Sequence, residues 1–192
     1  NPDSGQPTPL ALWQLAILCE IEGWRNKQDN TPRFSDVIVS VGRTNGKTYL
    51  ATILIMYHFL IDIDGLNNQD LAYVATTTSQ TDKGWRYIMS TAHMIEATPG
   101  FKQLCKSRGL HVVSDKLSDN AENRLLKMSQ QSGVFDSFHF TFVVTDEAGS
   151  NEMPVMKIAD NKSKITTGMT QSAGQIVQIS TAYPDSGSYL YK

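Results

Sequence analysis

The fold is decided by residues 36–51, DVIVSVGRTNGKTYLA, where a strand-like run, a loop and a helical pattern follow one another. The β-branched residues of 36–41 are typical of a buried parallel strand. The apolar residues of 48–63 predict a helix. A loop between such a strand and such a helix surrounds an anion with backbone N–H groups and a helix N-terminus, so the stretch predicts a phosphate-binding site.

Three side chains of this loop suit a nucleotide. Gly46 allows the backbone to approach a phosphate, Lys47 reaches the β- and γ-phosphates, and Thr48 offers its hydroxyl to Mg²⁺. Val41 stands where the usual pattern has a first glycine, and the alternative interpretation is an ordinary glycine turn. The predicted nucleotide-binding loop consists of Gly42, Arg43, Thr44, Asn45, Gly46, Lys47 and Thr48.

Arg43 is unusual because it lies inside the predicted phosphate loop. A guanidinium at this place can reach the γ-phosphate and act as an arginine finger supplied by the same chain. The alternative is an arginine that turns away from the loop to a surface carboxylate. We therefore treat Arg43 as a catalytic candidate together with Lys47.

A second apolar run, at residues 140–145, ends in two carboxylates, Asp146 and Glu147. Ligands of open α/β sheets bind at the carboxyl ends of the strands. We predict that Asp146 holds Mg²⁺ through water and that Glu147 polarises the attacking water as general base. An acidic pair after a strand also occurs as a helix N-cap or a solvated turn, but the upstream phosphate loop favours the catalytic interpretation.

The last predicted strand, residues 175–180, leads into Ser180, Thr181 and Ala182. Two hydroxyls at the end of this strand would sense the γ-phosphate and couple hydrolysis to movement. The alternative is a strand that runs into a turn with capping hydroxyls.

The rest of the chain alternates between helical and strand patterns, which is typical of α/β architecture. The first helix has an apolar stripe made of Leu12, Leu15, Ala16 and Cys19. Further helices are predicted at about 80–97 and at 151–160, with Pro154 in the first turn. The first helix is predicted at 10–24, and further strands are predicted at 71–75, 110–113 and 123–128.

The composition describes one folded domain. With 192 residues, 40% hydrophobic residues and a net charge of −2, the chain is neither disordered nor strongly attracted to nucleic acid. Any DNA contact is then local, and the alternative for each basic cluster is a solvated helix face. Cys19 and Cys105 lack metal-site spacing and favour a reduced, intracellular protein. The scattered histidines suggest no metal site. The two basic clusters are Lys102, Lys106 and Arg108, and Lys157, Lys162 and Lys164.

These motifs together resemble the ATPase domain of tailed-phage terminase large subunits, the motors that package viral DNA. The resemblance covers most of the chain, and the arginine-bearing loop of that family accounts for the missing first glycine. Residues 146–149, DEAG, look like its Walker B motif, and residues 180–182 like its coupling motif. Residues 73–75 with Gln80 resemble its segment after the second strand.

The resemblance also bears on Trp13 and Gln14, which with Gly23 and Trp24 look like the family's adenine-binding segment. By residue type alone, Trp13 lies on an apolar stripe and is expected to pack in the core. The amide of Gln14 both donates and accepts hydrogen bonds, so it suits an adenine edge.

The resemblance implies an α/β fold of the P-loop NTPase type (RecA-like, ASCE): three layers with a central, mostly parallel sheet flanked by helices. It implies ATP hydrolysis with Mg²⁺, in a single ATPase domain over residues 1–192. The implied partners are double-stranded DNA, a portal protein, a small terminase subunit and further copies of the chain in a ring, in the host cytoplasm. A neighbouring copy would supply a second arginine, for which the candidates are Arg86, Arg108 and Arg124.

Two other functions stay open at this stage. A helicase-type translocase has similar motifs but usually takes its arginines from a second motor domain, so Arg43 favours the terminase interpretation. A nucleotide-binding scaffold without turnover tends to lose the catalytic carboxylate, whereas Glu147 is present. Nothing in the chain matches the C-terminal nuclease domain of full-length terminases, so we expect no DNA cleavage by these residues.

Overall fold

One seven-stranded sheet forms the centre of the computed structural model, which describes residues 9–181 and 187–191. The strands are β1 (Asp36–Ser40), β2 (Asp70–Ala75), β3 (His111–Val113), β4 (Lys116–Ser118), β5 (Arg124–Ser129), β6 (Phe140–Asp146) and β7 (Gln175–Ser180). The helices are α1 (Leu12–Glu22), α2 (Lys47–Tyr57), α3 (Thr78–Ala97), α4 (Pro99–Arg108) and α5 (Val155–Gly168).

The strand order is β1-β7-β6-β2-β5-β4-β3, and the first five strands in this order run parallel. Only β4 and β3 add antiparallel pairs. Ser40 is aligned with Ser180, and Asp146 with Ala75, so the strands that carry the predicted motifs all end at one edge. The expectation of a mostly parallel sheet is confirmed.

Helices cover both faces of the sheet, which gives the expected three layers. The buried side chains of α2 and α3 pack on one face, against Tyr73 and Val144 among others. Ile165 of α5 packs on the other face, against Val74 and Val143. Side chains from successive strand positions alternate between these two cores. Within the described ranges, no helix has the length and apolar character needed to cross a bilayer.

Three elements differ from the sequence-based prediction. The helix expected at 151–160 begins at Val155, after Pro154 as N-cap residue, and continues to Gly168. Its buried face is Ile158, Asn161 and Ile165, and the polar Asn161 hides this spacing in the sequence. Helix α4 and strand β4 were not predicted, because β4 spans only three residues and α4 buries only Cys105.

The predicted apolar stripe of α1 does not face the core. Leu12 is 85% exposed and Trp13 is 37% exposed, so the expectation that Trp13 packs in the core is wrong. The buried residues of α1 are Gln14 and Ile21. The helix is apolar around most of its circumference, so hydrophobicity alone does not select the face that docks.

His58 joins α1 to the end of α2. It begins a π-helical turn, His58–Asp62, and its buried ring stacks on Phe142 of β6 at 3.5 Å between ring centroids. Its Nε2 lies 3.0 Å from Glu22 Oε1 and its Nδ1 lies 3.0 Å from Asp62 Oδ2. Arg25 pairs with both carboxylates. We call these four side chains, Glu22, Arg25, His58 and Asp62, the charged clamp, because they link α1 to the end of α2.

This clamp makes stability depend on pH. Burial lowers the pKa of His58, but hydrogen bonds to Asp62 and Glu22 outweigh burial and raise that pKa above 6.5. A raised pKa in the folded state means that the stabilisation is complete below pH 6.5 and is lost as the pH rises through the folded value. We therefore expect urea denaturation to show a free energy of unfolding that declines as the pH is raised above neutrality.

The matched variants are His58→Gln and His93→Gln. His93 is exposed on α3 beside Glu96, so its replacement is expected to leave the pH dependence of stability as in the wild type. His58→Gln should flatten that dependence. If the free energy of unfolding declined equally steeply with pH in the wild type and in His58→Gln, the clamp would not be the source of the pH dependence.

We predict different effects on the free energy of unfolding for a glycine-to-alanine substitution at Gly84 and at Gly100. A Cβ on Gly84 in α3 would lie 1.8 Å from Tyr73 Oη, whereas nothing lies within 4 Å of a Cβ on Gly100 in α4. Gly84→Ala should lower the free energy of unfolding by about 1–3 kcal/mol through overpacking. Gly100→Ala should leave it unchanged or raise it by up to about 1 kcal/mol. Equal effects in chemical denaturation would show that α3 does not pack on Tyr73 as described.

Candidate nucleotide-binding site

The predicted phosphate loop curls between the end of β1 and the start of α2. Thr44 and Gly46 adopt left-handed backbone conformations, with φ of 63° and 70°. Gly46 is the N-cap residue of α2, which begins at Lys47. The first N–H groups of the helix, which have no partner within the helix itself, therefore lie at the loop. This arrangement provides the donors that an anionic ligand requires.

Lys47 and Glu147 lie side by side at this loop. Lys47 is only 7% exposed, and its Nζ lies 3.6 Å from Glu147 Oε1. The same Nζ donates to the carbonyl oxygen of Gly42 at 3.4 Å. The structure thus brings together the cation of the predicted phosphate loop and the predicted general base, which are 100 positions apart in the chain.

Asp146 of β6 accepts two hydrogen bonds on one oxygen. Thr48 Oγ1 donates to Asp146 Oδ2 at 2.7 Å, and Tyr73 Oη donates to the same atom at 2.9 Å. Asp146 Oδ1 is buried and accepts no hydrogen bond from any described residue. A hydroxyl beside a carboxylate with one unused oxygen is the kind of oxygen donor set that Mg²⁺ prefers, so these residues fit the metal.

Burial shapes the acidity of this pair. It raises the pKa of Asp146, and the hydrogen bonds from Thr48 and Tyr73 only partly offset that effect. Burial, followed by the charge of Asp146, raises the pKa of Tyr73 well above its usual value. Tyr73 therefore keeps its proton at neutral pH and acts as a hydrogen-bond donor.

Glu147 has an unusual backbone. Its φ of 57° lies in the left-handed region, and Thr76 Oγ1 at the end of β2 donates to its carbonyl oxygen at 3.0 Å. A non-glycine residue in this region is strained and persists only where its surroundings hold it. This conformation directly follows Asp146, and the half-buried Glu147 side chain points towards Lys47.

Gln14 reaches the phosphate loop, and Trp13 remains on the outer face of α1. Gln14 Oε1 accepts a hydrogen bond from Ala11 N at 3.0 Å. Its Nε2 lies 3.2 Å from the position that a Cβ on Gly46 would occupy. The amide of Gln14 is therefore packed directly against the loop, whereas Trp13 is more than one-third exposed.

The end of β7 is linked to the turn after Glu147. The backbone N–H of Gly149 donates to Ser180 Oγ at 2.9 Å, and Ala148 N donates to Ile179 O at 3.3 Å. Thr181 Oγ1 is buried and has no hydrogen-bond partner among the described residues. Ala182, the third residue of the predicted coupling motif, lies outside the described residues.

The arginines differ in whether they form ion pairs with carboxylates of the described residues. Arg108 pairs with Asp119 and also donates to two carbonyl oxygens, and Arg124 pairs with Asp70. Arg43 and Arg86 are exposed, and neither forms an ion pair with any carboxylate that the structure describes. The alternative partner for Arg43, a surface carboxylate, is therefore not seen in residues 9–181 and 187–191.

The basic clusters are partly neutralised. Lys162 pairs with Asp36, and Lys164 with Asp160. Arg108 is withdrawn into its pair with Asp119, which leaves Lys102 and Lys106 exposed on α4. Across the described part of the chain, no cluster of histidine, cysteine or acidic side chains forms a metal cage, and Cys19 and Cys105 are free thiols.

Two residues of the site were given no role in the sequence analysis: Thr76 was not named, and Tyr73 was named only within residues 73–75. Tyr73 and Thr76 contact Asp146 and Glu147, but both contacts join β2 to residues more than 70 positions away. Two local signs were available in the sequence. One is a tyrosine within a largely aliphatic strand, and the other is a glycine, Gly84, inside an amphipathic helix. Neither sign specifies the partner.

Comparisons with known proteins give the family and the fold of this chain. The chain matches the family model described as terminase large subunit, ATPase domain, over residues 12–192. The large terminase of bacteriophage HK97 has a similar structure, with a TM-score of 0.73 and 18% identity over 98% of this chain and 36% of that one. The chain thus spans well under two thirds of the HK97 protein. No curated protein sequence matches it significantly.

A second solved structure has the same fold. It is an arginine-to-alanine mutant of the ATPase domain of the large terminase of Thermus phage P74-26, with a TM-score of 0.61 and 14% identity. The match covers 93% of this chain and 67% of that one. The P-loop fold of the ASCE type, expected from the sequence, is confirmed by these likenesses and by the sheet order.

Proposed function

Because this chain belongs to the family of terminase large subunit ATPase domains, we propose that it is the ATP-hydrolysing motor that drives double-stranded DNA into a viral procapsid. The observation that carries the proposal is the pairing of Lys47 in the phosphate loop with Glu147 after the acidic strand, 3.6 Å apart. A phosphate-binding cation beside a general base is the minimal arrangement for hydrolysis of a phosphoanhydride.

The residues of the site have different roles in the proposed hydrolysis. The N–H groups of residues 42–48 and the α2 N-terminus bind the phosphates of ATP, and Lys47 and Arg43 neutralise charge on the transferring phosphoryl group. Glu147 accepts a proton from water as the water oxygen bonds to the γ-phosphorus, and ADP leaves with the electrons of the broken P–O bond. Thr48 and Asp146 would hold Mg²⁺, which would supply charge neutralisation on the phosphate oxygens.

Gln14 is assigned to the adenine and Trp13 to the outer edge of the nucleotide. The support for Gln14 is its position against Gly46, with an amide that both donates and accepts. Trp13 follows by adjacency on α1, where its exposed ring is accessible to a stacked base.

Ser180, Thr181 and Ala182 are assigned to coupling. The hydrogen bond from Gly149 N to Ser180 Oγ connects the turn that carries Glu147 to the end of β7. A rearrangement at Glu147 after hydrolysis would therefore act directly on the chain that follows Ser180. This is the route by which we propose that hydrolysis moves the downstream segment.

The assembled motor would work as a ring of copies on a portal protein, with a small terminase subunit, in the host cytoplasm. Among the arginines considered for a neighbouring site, Arg86 has an exposed guanidinium, whereas Arg108 and Arg124 are engaged in ion pairs. Arg86 is therefore our candidate for action in trans. We expect no nuclease activity from these 192 residues.

The experiment is Mg²⁺-dependent phosphate release measured against the concentration of the chain, followed by DNA packaging into procapsids. We expect slow turnover at low concentration and a rise steeper than linear as copies assemble, together with nuclease-protected DNA when portal-bearing procapsids are added. Turnover strictly proportional to concentration, with no protected DNA, would contradict the ring motor and favour a single-chain translocase. Binding of ATP without hydrolysis at any concentration would favour a scaffold.

A further inference from the structure

Tyr73 crosses from β2 to the acidic end of β6. It lies on the sheet face that packs against α2 and α3, and it is fully buried. In the parallel pairing of β2 with β6, Tyr73 is aligned with Val144, two residues before Asp146. The length of the tyrosine side chain spans this offset, and its hydroxyl donates to Asp146 Oδ2 at 2.9 Å.

Helix α3 approaches this hydroxyl closely at Gly84. A Cβ on Gly84 of α3 would lie 1.8 Å from Tyr73 Oη. Glycine inside a helix is about 1 kcal/mol less favourable than alanine, so the close approach has a cost in α3. A phenylalanine in β2 would fill the same core without a polar atom. The hydroxyl is therefore not required by packing, and its function lies in the hydrogen bond to Asp146.

That hydrogen bond restricts how the Asp146 carboxylate is oriented. The side-chain torsion that turns an aspartate carboxylate is broad and roughly two-fold, so a single hydrogen bond leaves it loosely fixed. Here Thr48 and Tyr73 both donate to Oδ2, from two different elements. Oδ1 is left buried without a donor among the described residues. The two donors together determine which oxygen is used and which stays open.

We propose that Tyr73 is a positioning residue for the magnesium site: its hydroxyl holds the Asp146 carboxylate with Oδ2 on Thr48 and with Oδ1 free of donors from residues 9–181 and 187–191. This inference rests on the proposed function, which assigns Thr48 and Asp146 to the metal. Without the hydroxyl, the carboxylate samples several orientations and binds the metal from a less ordered state. The loss falls on metal affinity and leaves the binding of nucleotide alone unchanged.

The test compares Tyr73→Phe with Tyr189→Phe. Tyr189 donates its hydroxyl to Gln178 at 2.9 Å and also lies within hydrogen-bond reach of Lys162, so the control likewise removes a tyrosine hydroxyl that has side-chain partners, and Asp146 is not among them. Electron paramagnetic resonance measures Mn²⁺ binding to each protein with ADP, and phosphate release measures the Mg²⁺ concentration for half-maximal turnover. Fluorescent ATP binding in EDTA measures nucleotide affinity without metal.

In Tyr73→Phe we expect the half-saturating concentrations of Mn²⁺ and Mg²⁺ to rise roughly 3–10-fold, the effect of one lost hydrogen bond. ATP binding in EDTA and turnover at saturating Mg²⁺ should stay close to wild type. Tyr189→Phe should match the wild type in all three measurements. The phenylalanine variant keeps the ring in the core, so its melting temperature should change little.

Unchanged metal affinity in Tyr73→Phe would overturn the proposal and make Tyr73 a packing residue, whatever happens to the melting temperature. A wild-type protein that binds Mn²⁺ with ADP but hydrolyses no ATP would refute the proposed function, and the Mn²⁺ comparison would still decide the role of Tyr73. A wild-type protein that takes up no Mn²⁺ with ADP would overturn the magnesium site and, with it, the proposal.

Discussion

Glu147→Gln is expected to bind ATP as tightly as the wild type and to hydrolyse it at least about 100-fold more slowly. Glutamine keeps the length and shape of the side chain but does not accept a proton from the attacking water. Because Glu147 Oε1 lies 3.6 Å from Lys47 Nζ, the proposed base is on the side of the loop where we propose that the γ-phosphate binds. Phosphate release at saturating Mg²⁺ and ATP measures the turnover, and fluorescent ATP binding measures the affinity.

The matched control is Glu152→Gln. Glu152 is an exposed carboxylate five residues further along that accepts a hydrogen bond from Gln80, and it has no contact with Lys47 in the described structure. Its replacement should leave turnover within about two-fold of the wild type, as for a surface substitution. Wild-type hydrolysis by Glu147→Gln would place the general base elsewhere.

Lys47→Ala is expected to lose nucleotide affinity as well as turnover, with the rate falling by about 10²–10³-fold. The Lys47 side chain is 7% exposed and its ammonium group lies between Gly42 and Glu147, so the lysine charge is held at the loop before ATP arrives. Alanine removes the charge that we propose the phosphates contact. Glu147 is half-buried and remains accessible to water, so the variant should still fold.

Lys106→Ala is the control for this second prediction, because Lys106 is exposed on α4 and is absent from the ion pairs of the described chain. Its ATP affinity and turnover should equal those of the wild type. If Lys47→Ala bound and hydrolysed ATP as the wild type does, residues 42–48 would not be the phosphate loop. Reduced turnover with unchanged affinity would limit Lys47 to the transition state.

The sequence was sufficient for the parts of the site that follow from local pattern. A β-branched run before a glycine loop, and a buried run before two carboxylates, place Lys47 and Glu147 at carboxyl ends of parallel strands. The order of the strands does not follow from such patterns, because each buried run is compatible with several neighbours. The position of β7 between β1 and β6 therefore had to come from the structure.

Other features depend on partners that are distant in sequence. Helix α1 is apolar on most of its surface, and its contacts with the rest of the chain include Ile21 in the core, Glu22 with His58, and Gln14 with Gly46. Arg108 is an available cation in the sequence but pairs with Asp119 in the fold. The hydrogen bond from Tyr73 to Asp146 spans 73 positions. Local propensity contains no information on any of these pairings.

The most direct test of the central claim is a crystal structure of the Glu147→Gln variant with ATP and Mg²⁺. We predict that the phosphates lie on residues 42–48 at the N-terminus of α2, with the γ-phosphate in contact with Lys47 and the metal held by Thr48 and Asp146. ATP bound at any other place on the sheet edge, or a metal that contacts neither Thr48 nor Asp146, would contradict this assignment of the site.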